Sequence, residues 1–118
     1  MKIRRGDIFL ADLNPVRGTE QAGVRPVLIV QCNLANARIP TVTVVPLTSK
    51  LRAKRFLFTV FVSAEESGLS KDSIVLVFHI RTLDKSRLIH KMGSLSSHTM
   101  TTVDEALLLH LGLQPASA

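Results

Sequence analysis

The strongest constraint on the fold is a series of short apolar segments, rich in Val, Ile, Leu or Phe, that are separated by glycine, proline or polar residues. Six such segments of four to eight residues are present: 8–11, 26–31, 41–47, 56–62, 74–79 and 88–95. Short strands with turns between them, followed by one helix, favour a small β-barrel over a sheet of βαβ units. We therefore predict a mainly β domain with a C-terminal helix over residues 1–112, and a flexible tail over residues 113–118.

Helix signals occur at two places. Ser63 and Glu66 have the spacing of a capping box, and so do Thr102 and Glu105. The first pair predicts one helical turn, and the second predicts the start of the C-terminal helix, which Gly112 ends. Residues 33–40 have no strong period and are predicted as a polar connection, and residues 82–86 are predicted as a polar turn.

The almost continuous apolar character of residues 56–62 predicts a strand that is buried on both faces. The core would cover one face, and a helix or a partner subunit would cover the other. The weaker strand at 88–95 contains Gly93, which we interpret as the position of a β-bulge.

Charge points to a polyanionic partner. The chain has 15 Lys and Arg residues against nine Asp and Glu, a formal net charge of +6. This excess favours binding to nucleic acid or to an acidic protein, although a basic surface without a partner is the alternative. The chain has five Phe but no Trp or Tyr, so stacking of bases on an aromatic platform is not expected to be the main binding mode.

Cysteine and histidine usage argues against a metal or cofactor. Cys32 is the single cysteine, which excludes a disulfide framework and a thiolate cluster, and we expect it to be buried or half-buried. The histidines show no ligand spacing with carboxylates. No apolar run approaches the roughly 20 residues of a membrane span. We expect a cytoplasmic protein with no metal, no cofactor and no membrane association.

The segment Gly18–Pro26 is the main candidate functional element. It places two glycines, the polar pair Glu20 and Gln21, and the cation Arg25 directly before a buried strand. Pro26 suits the first residue of a strand and biases Arg25 toward an extended conformation. We therefore expect Arg25 to be held where a loop meets the strand, over a surface groove.

A second candidate element follows the third strand. Thr48 and Ser49 offer hydroxyl groups there, and a basic loop comes directly after them. The cations of this region form a candidate phosphate track: Lys50, Arg52, Lys54, Arg55 and Arg81. Loop cations are usually only solvated, so we expect about two of the five to contact a bound polyanion.

The chain resembles the MazF/PemK family of bacterial toxin endoribonucleases. The motifs that carry the resemblance are Gly18-Thr19-Glu20-Gln21-Ala22-Gly23-Val24-Arg25-Pro26, Arg5-Gly6-Asp7-Ile8-Phe9, Ala11-Asp12-Leu13-Asn14-Pro15, Pro46-Leu47-Thr48-Ser49, Asp72-Ser73, Ile80-Arg81-Thr82-Leu83-Asp84-Lys85-Ser86-Arg87-Leu88 and Val103-Asp104-Glu105-Ala106-Leu107. They occur in family order over roughly residues 2–112.

The resemblance implies a Src-homology-3-like β-barrel that works as a homodimer. It implies metal-independent cleavage of single-stranded RNA, mainly messenger RNA, and inhibition by a cognate antitoxin that covers the RNA site. It assigns catalysis to Arg25 and Thr48, with Glu20 as a further candidate. Gln21, Ser49, Lys50, Lys54, Arg55 and Arg81 are the substrate-binding candidates.

Two residues depart from the family pattern. His79 stands where many members have glutamine, and Phe78 stands where some have an acidic residue. We hypothesise that His79 holds substrate and transfers protons, because its pKa suits proton transfer near neutrality. The alternative for His79 is a purely structural histidine, hydrogen-bonded at the end of a strand. The alternative for Glu20 is a solvated charge or an ion-pair partner of an arginine.

Three other functions are compatible with the same barrel. The first is a toxin that poisons a topoisomerase and leaves RNA intact. The second is an RNA-binding barrel without catalysis, and the third is an inactive member of the family. The combination of Arg25 with Thr48 favours the nuclease over the first two.

Overall fold

The computed structural model describes residues 1–114, which form seven strands, three α-helices and three short 3-10 helices. The strands are β1 Asp7–Asp12, β2 Val24–Ile29, β3 Thr41–Thr48, β4 Thr59–Val62, β5 Ser73–Leu76, β6 Arg81–Asp84 and β7 Leu88–Ser94. The α-helices are α1 Asn33–Arg38, α2 Ala64–Ser67 and α3 Ser97–His110. The 3-10 helices are Leu51–Arg55, Val77–His79 and Lys85–Arg87.

Strand β3 is the centre of one antiparallel sheet with the order β4-β5-β3-β2-β1-β7. One edge of β3 pairs with β2, and the other pairs with β6 along its first half and with β5 at its end. The 3-10 helix Val77–His79 separates β5 from β6 on that edge. The mainly β class with a C-terminal helix is thereby confirmed, although no strand pairing between β4 and β7 closes the sheet within residues 1–114.

The sheet has a hydrophobic cluster on each face. Side chains of neighbouring residues in one strand point to opposite faces and pack in different clusters. Ile8 and Val45 belong to the first cluster, and their neighbours Phe9 and Val44 belong to the second. The first cluster also contains Val103 of helix α3. Because the central strands are buried on both faces, their sequences read as continuous apolar runs and not as alternating ones.

The predicted start of the C-terminal helix was wrong. Helix α3 begins at Ser97, and Ser96 caps it by accepting a hydrogen bond from the Thr99 N–H at 3.2 Å. The carboxylate of Glu66, 30 positions earlier, also accepts from the Ser96 N–H. The helix therefore starts where a distant side chain supports its first turn, one and a half turns before Thr102.

Both the predicted polar connection and the predicted polar turn contain regular structure. Residues Asn33–Arg38 form α1, in which the buried Asn36 exchanges hydrogen bonds with Gln31. Residues Arg81–Asp84 form β6, which pairs with β3. Each element also has a partner distant in sequence, since the Arg5 N–H donates to Asn33 Oδ1 of α1 at 2.7 Å and β3 pairs with β6.

Two predicted strands are shorter than expected. The fourth begins only at Thr59, because Phe58 has a left-handed φ of +56° that ends extended backbone there. It is also not buried on both faces, since Phe61 is exposed. The fifth strand ends at Leu76, and the predicted strand residues Val77–His79 form a 3-10 helix instead.

Several local predictions were confirmed. Ser63 caps α2 by accepting from the Glu66 N–H at 3.1 Å, and a register shift places a bulge beside Gly93. Gly112, with φ of +72°, follows the last turn of α3. Cys32 is exposed and was wrongly expected to be buried or half-buried, because it lies just before the surface helix α1.

The last described residues are hydrogen-bonded to α3. The N–H groups of Leu113 and Gln114 both donate to the Leu108 carbonyl. The remainder of the predicted tail, residues 115–118, lies outside the described residues. Within residues 1–114, no helix is long and apolar enough to cross a membrane.

Candidate functional site

Arg25 is the second residue of strand β2, close to where the loop meets the strand. Strand β2 begins at Val24, two residues before the predicted start at Pro26, and Arg25 pairs with Ala11 of β1. Its Nε–H donates to the Ala22 carbonyl at 2.6 Å. This bond orients the guanidinium and leaves its terminal nitrogens to donate elsewhere.

Thr48 is the last residue of β3, where it pairs with Ile74. The side chain is nearly buried, with 8% of the residue exposed, and Oγ1 accepts a hydrogen bond from the Lys50 N–H at 3.2 Å. A hydroxyl that already accepts from the backbone still has its own proton to donate. Thr48 is therefore a rigidly held donor at the end of a strand.

Arg25 and Thr48 line the same groove. Its volume is about 490 Å³, and Ser49, Lys50 and Lys71 also line it. Both residues also border an adjoining cavity of about 120 Å³ with Gln21 and Arg52. The structure thus brings a guanidinium, a hydroxyl and an ammonium group around one open space, which suits a phosphate.

Glu20 and His79 lie in a neighbouring pocket. Its volume is about 160 Å³, and Gln21, Phe78 and Arg81 also line it. Gln21 borders this pocket and the small cavity beside Arg25, so it connects the two parts of the site. Glu20 Oε1 accepts from the Arg17 N–H at 2.6 Å, which ties the carboxylate to its own loop.

His79 is half-buried, and burial lowers the pKa of its imidazole below the ordinary 6.5. The negative charge of Glu20 opposes this shift, but burial is the larger effect. The imidazole is therefore neutral at pH 7, with one nitrogen free to accept a proton. Its ring packs against Phe78 with 4.4 Å between the ring centroids.

Only some of the basic residues of the predicted phosphate track line the candidate site. Lys50 and Arg52 reach the cavity beside Arg25, and Arg81 lines the His79 pocket. Lys54 and Arg55 are engaged elsewhere: Lys54 Nζ donates to the Thr59 carbonyl at 3.0 Å, and the Arg55 guanidinium lies 5.0 Å from the centroid of the Phe56 ring.

Two hydrogen bonds hold the base of the loop between β1 and β2. The Leu13 N–H donates to the Gly23 carbonyl at 3.0 Å, and Arg81 Nη1 donates to the Leu13 carbonyl at 3.3 Å. Arg81 therefore joins strand β6 to this loop as well as lining the His79 pocket. These contacts support the loop that carries Glu20 and Gln21, which line the His79 pocket.

Lys71 is a charged groove residue that the sequence did not predict. It lies between α2 and β5, next to Asp72, whose carboxylate accepts from the Ala64 N–H at 2.8 Å. The motif Asp72-Ser73 carries no local signal that would place the preceding lysine at the groove lined by Arg25. Only the pairing of β5 with β3 brings them together.

An antiparallel sheet with a C-terminal helix defines this protein as a small mainly β-fold, and the groove at the end of its central strand is lined by basic side chains. A family model described as PemK-like, MazF-like toxin of type II toxin–antitoxin systems matches residues 4–111. The chain therefore belongs to the MazF/PemK toxin family, for which endoribonuclease activity is known.

Solved structures support the same assignment. MazF from Deinococcus radiodurans is 26% identical with a TM-score of 0.82, over 95% of this chain and 98% of that one. An endoribonuclease from a mycobacterial species, in complex with its cognate antitoxin, is 27% identical with a TM-score of 0.74, over 98% of each chain. Toxin MazF-mt6 of Mycobacterium tuberculosis is 26% identical with a TM-score of 0.77, over 92% of this chain and 99% of that one.

Proposed function

We propose that this toxin is a metal-independent endoribonuclease that cleaves single-stranded RNA, mainly messenger RNA, at short sequence motifs. The 2′-hydroxyl loses its proton to a base and attacks the adjacent phosphorus. The bond to the 5′ oxygen breaks as that oxygen takes up a proton, so the products carry a 2′,3′-cyclic phosphate and a 5′-hydroxyl. The observation that carries the proposal is that Arg25 and Thr48, from two different strands, line one groove.

Arg25 is assigned to the negative charge that develops on the phosphate. The pentacoordinate intermediate carries more charge on its equatorial oxygens than the substrate does. A guanidinium offers a fixed pair of donors to such oxygens, and the Nε bond to Ala22 orients it before substrate arrives. Preorganised donors of this kind typically lower a barrier by about 3 kcal/mol each.

Thr48 is assigned to the same phosphate. Its Oγ1 is held by the Lys50 N–H, so the hydroxyl proton is the group left to donate to a phosphate oxygen. Lys50 lines the same groove and adds positive charge next to the hydroxyl. Together the two residues raise the affinity of the groove for a phosphodiester.

Proton transfer is assigned to the neighbouring pocket. His79, whose imidazole is neutral at pH 7, is the candidate base for the 2′-hydroxyl, and Glu20 is the second candidate. Gln21 lies between this pocket and Arg25, which suits a role in holding the ribose or base of the substrate.

A homodimer and an antitoxin complex complete the proposal. Phe61 of β4 and Leu111, which directly follows α3, have exposed apolar side chains. The ring of Phe58, just before β4, lies 5.5 Å between centroids from the ring of His110, the last residue of α3. An apolar face of this kind suits a second subunit. One structural relative is bound to its cognate antitoxin, and the basic groove here suits an acidic antitoxin segment.

The test is incubation of the full chain with a long RNA in EDTA, followed by mapping of the cut sites and their end groups. We expect the wild type to cut, and Arg25→Ala to lose about a hundredfold or more in rate while remaining folded. Arg38→Ala is the matched control, because Arg38 is an exposed arginine of α1 that lines neither cavity beside Arg25.

Three results would contradict the proposal. Intact RNA that is nevertheless bound would identify an RNA-binding barrel. Intact RNA together with trapped topoisomerase–DNA complexes would identify a topoisomerase poison. Equal rates for wild type and Arg25→Ala would remove Arg25 from catalysis.

A further inference from the structure

The peptide group between Ala22 and Gly23 is hydrogen-bonded at both of its polar atoms. Its carbonyl accepts from the Arg25 Nε–H at 2.6 Å, and its N–H donates to Asn14 Oδ1 at 3.1 Å. Because a peptide group is planar, its N–H and its C=O turn together. The bond to Asn14 therefore fixes the direction in which the Ala22 carbonyl meets the guanidinium.

The backbone at Gly23 would not hold this peptide group by itself. Gly23 has φ of +82°, and no atom beyond its chain neighbours lies within 4 Å of the place of a Cβ. Glycine changes between backbone conformations at little cost, so an unbonded peptide group here would rotate. The Leu13 N–H bonds to the Gly23 carbonyl at 3.0 Å, but that carbonyl belongs to the next peptide group.

Asn14 is itself held by contacts on its main chain. Its N–H donates to Asp12 Oδ1 at 3.0 Å, and its carbonyl accepts from Arg87 Nη1. The same Nη1 donates to the Asp12 carbonyl at 3.2 Å. Arg87 follows Asn14 by 73 positions, at the end of the 3-10 helix after β6. A series of hydrogen bonds thus runs from Arg87 through Asn14 to the guanidinium of Arg25.

We propose that Asn14 is a positioning residue for Arg25, acting through the peptide group between Ala22 and Gly23, and that Arg87 anchors Asn14. Asn14 and Arg87 line neither cavity beside Arg25, so they act on the guanidinium and not on the substrate. The expected effect on cleavage rests on the proposed function, whereas the orientation of the guanidinium is measurable without RNA.

The first experiment follows the Arg25 Nε–H by NMR in the 15N-labelled full chain without RNA. Its signal is assigned by its loss in Arg25→Lys. A hydrogen-bonded N–H exchanges slowly with water, and we expect Asn14→Ala to make this exchange about fivefold faster, the effect of losing one hydrogen bond. The Arg5 Nε–H, which donates to the Val30 carbonyl at 2.8 Å, is the internal reference and should not change.

The second experiment measures single-turnover cleavage of one mapped RNA. Asn14→Ala is expected to slow cleavage about fivefold. Its affinity for 2′-fluoro RNA, which lacks the attacking hydroxyl, should stay close to that of the wild type, because the Arg25 contact strengthens as charge develops on the phosphate. Asn14→Asp keeps an acceptor oxygen and should retain both the cleavage rate and the slow exchange.

Two further variants separate positioning from a general loss of stability. Asn14→Leu keeps the side-chain volume without an acceptor and should behave as Asn14→Ala does. Asn33→Ala is the matched control, because Asn33 Oδ1 also accepts a backbone N–H, from Arg5 at 2.7 Å, and lines neither cavity beside Arg25. It should leave the Arg25 exchange and the cleavage rate unchanged.

Two outcomes would overturn the proposal. One is slow exchange of the Arg25 Nε–H in folded Asn14→Ala and Asn14→Leu, and the other is an equal loss in Asn14→Asp and Asn14→Ala. Faster exchange in Asn14→Ala, in a protein that leaves RNA intact in EDTA, would support the positioning role and refute the nuclease. Cleavage by the wild type with exchange that is independent of Asn14 would do the reverse.

Discussion

The Lys50 N–H donates a hydrogen bond to Thr48 Oγ1 at 3.2 Å, which fixes the direction in which the threonine hydroxyl can donate. We predict that Thr48→Val lowers the rate of RNA cleavage about a hundredfold, because the phosphate loses a preorganised donor. Thr48→Ser keeps the hydroxyl and should retain most of the activity. Single-turnover cleavage of one mapped substrate measures both, and a wild-type rate for Thr48→Val would refute the role of the hydroxyl.

The lowered pKa of His79 predicts a pH dependence of cleavage. A base works in its neutral form, so the rate should fall as pH drops through a pKa below 6.5, where the imidazole becomes protonated. His79→Gln should remove this acidic limb of the pH–rate profile. An unchanged profile in the variant would show that another group takes the proton.

Lys50 and Lys54 form a matched pair for testing the phosphate contacts. Lys50 lines the groove, whereas Lys54 Nζ is bonded to the Thr59 carbonyl at 3.0 Å. We predict that Lys50→Ala weakens RNA binding and reduces the slope of log K against log salt by about 1, while Lys54→Ala leaves the slope unchanged. Titrations at several salt concentrations measure both slopes, and equal effects would mean that the two lysines both contact RNA.

Glu66 connects helix α2 to the start of α3. Its carboxylate accepts from Thr99 Oγ1 at 2.9 Å and from the Ser96 N–H at 3.2 Å. The Thr99 bond is the main reason why the pKa of Glu66 lies below its ordinary value. A lowered folded-state pKa means that the stabilisation is complete above the unfolded value and is lost as pH falls through the folded one.

We therefore predict that Glu66→Gln lowers the free energy of unfolding at pH 7 by at most about 1 kcal/mol, because solvent screens an exposed carboxylate. The difference from wild type should shrink in acid, once Glu66 is protonated. Denaturant melts at pH 7 and near pH 3 measure this, with Glu65→Gln as the control at the adjacent exposed position. If the difference in unfolding free energy between the wild type and Glu66→Gln did not change with pH, the ionised carboxylate would not be the source of the stabilisation.

Gly93 lies where β7 touches the end of α2. A Cβ at this position would stand 1.8 Å from the Ser67 carbonyl oxygen, so backbone would have to move. We predict that Gly93→Ala lowers the free energy of unfolding by about 3 kcal/mol, at the upper end of overpacking effects. Ser94→Ala, at the next and exposed residue, should change it little. Urea midpoints compare the two, and an equally stable Gly93→Ala would mean that this contact adapts easily.

The sequence alone determined the structural features that depend on residues close together in the chain. Runs of β-branched residues predicted the central strands, because pleated, doubly buried backbone favours those side chains. Ser63 and Glu66 predicted α2, since both partners of its cap lie within one turn. The motifs around Arg25 and Thr48 predicted the family and selected two residues that the fold brings to one groove.

Tertiary structure decided the features that depend on contacts between residues distant in the chain. Strand β6 exists because β3 offers it an edge, and α3 starts early because Glu66 supports Ser96 from 30 positions away. The pairing of β5 with β3 brings Lys71 to the groove, and the 3-10 helix after β5 brings Phe78 next to Phe56. Local propensity contains no information about such contacts, because their free energy arises only when the folded chain brings the partners together.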